Sequence, residues 1–420
     1  MTEAQSTPDT YAALRIPNFR RYIVALFVLT VGLQIQGTVV GWQIYDLTRD
    51  PLALGLIGLA EALPAIGLSL FAGHFADIHD RRVLALRALA VLVLCAIALW
   101  LLALASLGSA MLALHARVTA IYAVIVVTGV ARAFLQPARQ ALSVELVPRA
   151  LFANSITWRS GSWQVAAVLG PAVGGLLYAI GGPALGYAVG ALLLVVATIV
   201  LFNVRHRSPL RDLTTREPMK TSLTSGLRFV FAEPVLLGAL TLDLFSVLFG
   251  GAVALLPVFA AEILHTGPEG LGLLRAAPAV GAVITSVVLA KTPPLERAGR
   301  ALLFAVAGFG LCMIAFAASR EFYLSLALLA MSGSFDMVSV VIRGVLLQLR
   351  TPEGMLGRVS AVNQIFIGSS NEIGAFESGM AAKLFGTVPS VVLGGLATLG
   401  VVGLVAWRVP TLRKLRGLNP

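Results

Sequence analysis

The chain predicts an all-α polytopic membrane protein of twelve transmembrane helices in two pseudo-symmetric six-helix bundles, and three observations carry that prediction. Nearly all of its 420 residues fall in long, mostly apolar runs, the basic residues gather in alternate gaps between them, and the second half repeats landmarks of the first. A crossing of the hydrocarbon core needs roughly 20 apolar helical residues. Backbone groups in lipid must bond within the protein, so continuous rather than alternating apolar runs select helices over a barrel. Charged residues make up 12% of the chain and hydrophobic ones 58%, against roughly 25% charged in soluble domains.

The first bundle, 20–204, follows a polar tail at 1–19 and contains segments 20–46, 52–75, 83–106, 117–141, 152–180 and 184–204. Segment one follows the tail without the small-residue cleavage site of a signal peptide, so it is expected to stay in the protein. Asp50-Pro51 opens segment two with a capping residue before a proline at the first helical position. Arg81-Arg82 precede segment three, and Arg139 and Arg149 flank the gap between four and five. A basic, polar linker at 205–234 leads to the second bundle, 235–408, with segments 235–263, 268–290, 300–318, 321–350, 358–385 and 388–408. Gly267-Pro268 opens segment eight as Asp50-Pro51 opens segment two, and a tail at 409–420 closes the chain. Cys95 and Cys312 both fall inside apolar runs, which suits small core residues rather than a disulfide.

The gaps set the orientation. Odd-numbered loops and their edges hold only Arg49, Arg117, Arg275, Arg320 and Lys383, and the other membrane-flanking basic residues lie in even-numbered loops and the tails. The positive-inside rule then puts both termini and the linker in the cytoplasm. The net charge of +11 is spread over short loops rather than one basic face, so no nucleic-acid partner is expected.

An offset of 204 carries Arg139 onto Arg343, Leu142 onto Leu346, Pro148 onto Pro352, Gly170 onto Gly374 and Gly175 onto Gly379. The Pro51-to-Gly55 spacing recurs as Pro268-to-Gly272. Six crossings return the chain to its starting side, so the halves are parallel repeats about an axis along the membrane normal. Transporters built this way hold their site at the repeat interface near mid-membrane.

Between segments two and three stands Gly73-His74-Phe75-Ala76-Asp77-Ile78-His79-Asp80-Arg81-Arg82. It resembles the loop-two signature of the major facilitator superfamily, G-x-x-x-D-R-x-G-R-[KR], with His79 at the first arginine and Asp80 at the second glycine. The resemblance implies the major facilitator fold and a cytoplasmic gate of Gly73, Asp77, Asp80, Arg81, Arg82 and, in the second half, Arg358. Gly170-Pro171-Ala172-Val173-Gly174-Gly175 is similar to the G-P-x-x-G-G antiporter motif of exporters in that superfamily. Arg132 stands near the position of the family's membrane arginine. The stretches Ala131 to Arg139, Val147-Pro148 to Asn154, and Thr351 to Arg358 resemble the branch of enterobactin (siderophore) exporters and related drug-efflux carriers. Physically, Gly170, Pro171, Gly174 and Gly175 allow bending or close packing of segment five and a seal against ion leak.

An ionisable group at bilayer depth costs at least about 2.5–3.5 kcal/mol on insertion scales, so each one is a candidate for function. Glu61, Asp336 and Glu372 are the proton-coupling candidates. Asp336 and Glu372 each sit about 14 residues, roughly 21 Å, from the cytoplasmic side, and the shared level suggests facing carboxylates. Asp243 and Arg343 lie at similar depths and suit an ion pair. Arg132, Arg159, Gln34, Gln36, Trp158, Asn371 and Glu377 are candidate cavity or substrate residues, with Gln43, Trp42, Trp163 and Gln164 adding aromatic and hydrogen-bonding surface. No phosphate-cradling loop followed by Lys-Ser/Thr is present, the histidines do not cluster as metal ligands, and no nucleophile, base and orienting group occur together. An enzyme, a cofactor, a metal site and ATP-driven transport are therefore not expected.

The reading is a secondary active transporter, a proton-coupled exporter of small amphiphilic organic molecules that works by alternating access. It is expected as a monomer in a bacterial inner membrane, with protons and membrane lipids as its other partners. The alternatives are a lysophospholipid or other lipid transporter, and a transport-inactive receptor or scaffold on a transporter fold.

Overall fold

The computed structural model describes residues 9–105, 113–206, 219–250, 252–292 and 297–415. Four helices come first: α1 (Pro17–Thr48), α2 (Pro51–Ile78), α3 (Arg81–Ala105) and α4 (Leu114–Glu145). The span Phe152–Phe202 divides at Gly181–Gly182 into α5 (152–180) and α6 (183–202). Gly182 has φ 64 and ψ −165, a conformation open in practice only to glycine, and Pro183 then starts α6 as a first-turn proline.

The second set is α7 (Pro234–Phe249), α8 (Gly267–Lys291), α9 (Ala298–Ala318), α10 (Phe322–Arg350), α11 (Leu356–Phe385) and α12 (Thr387–Arg408). The crossing begun by α7 breaks at Gly250, resumes over Ala252–Val258 and ends in a π turn at Phe259–Ile263. Among the described residues, ten spans are long and apolar enough to cross a membrane. One of these contains both α5 and α6, which makes eleven crossings, and α11 is the twelfth. Its length of 30 residues suffices, but Arg358, Glu372, Glu377, Lys383 and the polar residues between them keep it from standing out by hydropathy.

Local chemistry sets several ends. The Asp50 carboxylate accepts the Leu52 N–H at 3.0 Å and Pro51 is the first residue of α2, as the Asp-Pro pair predicts. Arg49 closes α1 in the left-handed region at φ 49. Within 205–234, read as a linker, residues Met219–Ala232 form a helix. Val230 packs beside Leu236 and Val362, while the Arg358 Nη1 donates to Ser225 Oγ at 3.1 Å. An apolar stripe is enough to hold this segment against α7 and α11 although its overall composition is polar.

Helices α1 to α6 pack among themselves, α1 against α5 and α6 and α4 against α2 and α3. Helices α7 to α12 do likewise, with α10 against α8 and α9, and α7 against α11 and α12. The two bundles meet along two crossings, α5 with α8 and α2 with α11.

The repeat read from the sequence reappears in these contacts. A Cβ on Gly170 would lie 2.4 Å from Gln34 of α1, and one on its counterpart Gly374 would lie 2.8 Å from the Leu248 carbonyl of α7. A Cβ on Gly175 would meet the Pro268 carbonyl at 2.3 Å and Gly272 Cα at 2.9 Å on α8. One on Gly379 would meet Gly55 Cα at 2.8 Å and the Pro51 carbonyl at 2.9 Å on α2. The matched glycines thus perform matched jobs, letting backbones approach where lipid supplies no hydrophobic drive.

Candidate functional site

The site is built where the two bundles adjoin, beneath a seal on the side away from the termini. That far-side seal uses the glycine contacts just described and several polar links. Tyr45 of α1 donates to the Glu262 carboxylate in the π turn, Lys383 Nζ of α11 lies 2.8 Å from Asp50 Oδ2, and Arg275 Nη1 of α8 lies 3.5 Å from Thr38 Oγ1. Each of these joins one half to the other. Burial alone would raise the Asp50 carboxyl, but its bonds to Lys383 and to the Leu52 N–H hold it below the usual carboxylate range. Among the described residues, these close contacts between the halves lie on the far side, while toward the termini added Cβ atoms on Gly67 of α2, Gly161 of α5, Gly344 of α10 and Gly368 of α11 would meet open space.

Just below the seal, Glu61 of α2 is ion-paired with Arg132 of α4. The helices are held together there because Gly129 lets α4 approach the Glu61 carbonyl, which an added Cβ would meet at 2.5 Å. Glu372 of α11 faces the same place from the other half: its Oε2 lies 3.5 Å from an added Cβ on Gly58, and it interacts electrostatically with Arg132. The Arg132 guanidinium is thus paired with a carboxylate of its own bundle and lies within the field of one from the other. Removing either acid's charge changes the force across the junction between the halves.

The facing pair of carboxylates expected from equal depth does not form. Glu372 lies beside Gly58 of α2 and within the field of Arg132, while Asp336 of α10 has no hydrogen bond or ion pair among the described residues. Depth along a helix does not fix the direction in which a side chain points, and α10 makes few contacts with α11. The expected Asp243–Arg343 pair does form, between α7 and α10, with side-chain exposures of 6% and 7%.

Trp158 is not a cavity wall. Its indole Nε1 donates to the Thr10 carbonyl at 3.0 Å and its ring lies against Tyr11 at 5.6 Å. Asn154 holds the same tail, accepting from Ala13 N and donating to the Thr10 carbonyl. Trp158 stands only seven residues into α5, shallow enough for the tail to reach it. Gln34 packs on Gly170. Gln36 is buried with its Oε1 unpaired. Gln43 is tied to the Tyr187 hydroxyl at 2.6 Å. Asn371 is exposed and bonds back to the Ile367 carbonyl, and Glu377 accepts from Ser378 at 3.4 Å. Arg159 donates to Ser143 Oγ at 2.9 Å.

Asp80, Arg81 and Arg82 each make contacts within the first half, and Arg358 bonds to Ser225 of the linker helix. Gly73 lies in the last turns of α2, and the Asp77 side chain is outside the described residues. Asp80 caps α3 by accepting from the backbone N–H of Arg82 and Val83. Arg82 caps α6 through the Phe202 carbonyl at 2.6 Å and covers the Phe202 ring. Arg81 is paired with Glu145 of α4, which also holds His206 at 3.2 Å. Glu145, Tyr45 and Glu262 escaped the sequence reading because they sit near span ends, while Asp50 was read only as a helix cap and Arg275, well inside α8, only as a loop-edge charge. In the antiporter-like motif, Gly170 and Gly174 face α1, while Gly175 and the Pro171 carbonyl face α8.

A family model described as transmembrane secretion effector matches residues 8–417. The enterobactin exporter EntS of Shigella flexneri is 28% identical over 407 residues, covering 96% of this chain and 94% of that protein. Among solved structures, a D-xylose–proton symporter superposes with a TM-score of 0.72 at 15% identity, over 95% of this chain and 99% of the other. A bacterial homologue of the iron transporter ferroportin in an inward-facing state gives 0.67 at 18% identity, over 93% and 99%. These two likenesses establish the fold.

Proposed function

Because the chain belongs to the transmembrane secretion effector family of the major facilitator superfamily, we propose that this secondary transporter is a proton-coupled exporter of small amphiphilic organic molecules. It works in a bacterial inner membrane with both termini cytoplasmic, so substrates enter from the side opposite the seal. The observation that carries the reading is the Glu61–Arg132–Glu372 cluster, in which one cation beneath the seal is paired with an acid of its own bundle and lies within the field of an acid from the other. Export by the EntS relatives and the contacts of the antiporter-like motif support the outward direction.

In the proposed cycle, a carboxylate of this cluster, or the unpartnered Asp336, takes a proton when the far side is open. Neutralisation lowers the cost of enclosing it. The bundles then rock about the α2–α11 and α5–α8 crossings into the state described above. Substrate binding and proton release compete there, and the loaded carrier rocks back. Each elementary charge moved through 100 mV is worth about 2.3 kcal/mol, which adds to the pH gradient in driving uphill export.

The test is a substrate screen in proteoliposomes with an imposed pH gradient. The reading requires at least one organic substrate to move uphill, and to stop when a protonophore collapses the gradient. Movement indifferent to the gradient for every transported substrate contradicts it.

A further inference from the structure

The two halves place an arginine at matched positions of their fourth helices, Arg139 on α4 and Arg343 on α10, related by the 204-residue offset. In the second half the charge is neutralised from within, by Asp243 of α7. In the first half it is not. The matched helix α1 carries no acid before Asp46, and the group it brings to Arg139 is Tyr22, whose hydroxyl donates to the Arg139 carbonyl at 2.8 Å. The Arg139 guanidinium has no hydrogen bond or ion pair among the described residues. Arg159 adds a second cation nearby and is held by Ser143 Oγ at 2.9 Å, a neutral partner. The two arginines repel one another, and Arg132 one heptad along α4 adds to that repulsion. Glu145, a later acid on α4, is already engaged by Arg81 and His206.

Two half-buried guanidiniums without a carboxylate are costly unless an anion visits them. Arg139 also borders a small, mostly apolar cavity within the first bundle, between Tyr22 and Leu26 of α1, Leu89 of α3, Leu142 of α4 and Leu201 of α6. We propose that Arg139 and Arg159, with Tyr22 and Ser143 supporting them, form a subsite for an anionic group of the exported molecule, such as a carboxylate or an ionised phenol. Guanidinium forks suit flat, delocalised oxyanions. The missing acid on α1 is what distinguishes this half from its partner, since a built-in carboxylate would occupy the place of the ligand. The proposal rests on the exporter reading and narrows its substrates to organic anions.

The test uses two fluorophores of one ring system, anionic carboxyfluorescein and cationic rhodamine 123, binding to the purified full chain by fluorescence anisotropy. The wild type is expected to bind the anion more tightly. Arg139→Gln and Arg159→Gln should each weaken it at least about tenfold, the scale of one lost charge-assisted hydrogen bond. Arg139→Lys, which keeps the charge but loses the fork, should bind the anion with an affinity between those of the wild type and Arg139→Gln, and neither Gln variant should weaken rhodamine 123. Equal losses for both probes would mean a structural role and overturn the subsite. So would preference of the wild type for the cation, or binding of neither probe. Proton-driven efflux of rhodamine 123 without anion binding would leave the exporter reading standing and end the subsite. Arginine-dependent anion binding without gradient-driven transport would do the reverse.

Discussion

The two bundles share a backbone plan but handle charge in opposite ways. The second half closes its account internally, with Asp243 and Arg343 almost wholly buried against each other. Among the described residues, the first half leaves Arg139 and Arg159 without carboxylates, and its Arg132 is paired with its own Glu61 within the field of Glu372 of the other half. Small residues copied between halves keep the packing symmetric, while the arginines matched by the repeat are balanced by a carboxylate in the second half and not in the first.

The largest effect should come from breaking the internal pair. Asp243→Asn or Arg343→Gln strands a buried charge, and loss of one partner costs about 3–5 kcal/mol. Arg139→Gln removes a charge that has no such partner and should cost much less. Thermal unfolding in detergent checks this, with the double change Asp243→Leu, Arg343→Leu expected near wild type. If Arg139→Gln is as damaging as Asp243→Asn, the contrast between halves is lost.

Next in size, Gly175→Leu and Gly379→Leu should act alike, since each glycine lies against backbone of the opposite bundle. Either variant should hold the far side ajar. Labelling of a cysteine placed at the buried Thr38, which faces Arg275 of the other half, by a membrane-impermeant thiol reagent from outside should rise several-fold, in a background lacking Cys95 and Cys312. Unchanged labelling in one variant alone would mean that the two crossings do not move together.

The smallest effect concerns Asp50 and Lys383 on the far side, where the side chains are 36% and 49% exposed. Asp50 is held below its ordinary value, so its link with Lys383 is present above that value and lost only as pH falls through the depressed one. Far-side closure should hold through the mildly acid range outside a cell. Asp50→Asn should shift the same labelling by less than about threefold, as exposed pairs contribute little, and the shift should be the same at pH 7 and pH 5.5. Greater labelling of the wild type at pH 5.5 than at pH 7 that is absent in Asp50→Asn would contradict this.

The segment pattern, the repeat and the depth of each charge were legible in the chain because period and spacing are one-dimensional. Gly170 with Gly374 and Gly175 with Gly379 paired by arithmetic and then paired in space. Direction around a helix axis was not legible, since packing sets it. Equal depth therefore misled for Asp336 and Glu372, while Asp243 and Arg343 did meet. Trp158 read as cavity lining because nothing in the chain announces that Thr10 and Tyr11 fold back on it. Arg275 read as a loop-edge anchor, although it reaches across to Thr38 and Gly41 of the other half.

The central claim is that protons act through the Glu61–Arg132–Glu372 cluster at the junction, and Glu372→Gln tests it by comparing two transport modes in one preparation. Proteoliposomes bearing the variant should lose pH-gradient-driven export by at least about tenfold, the scale of one charge-dependent interaction. Gradient-free exchange of labelled for unlabelled substrate should continue within about threefold of wild type, because rocking and binding remain. Gradient-driven export at the wild-type rate would contradict the account.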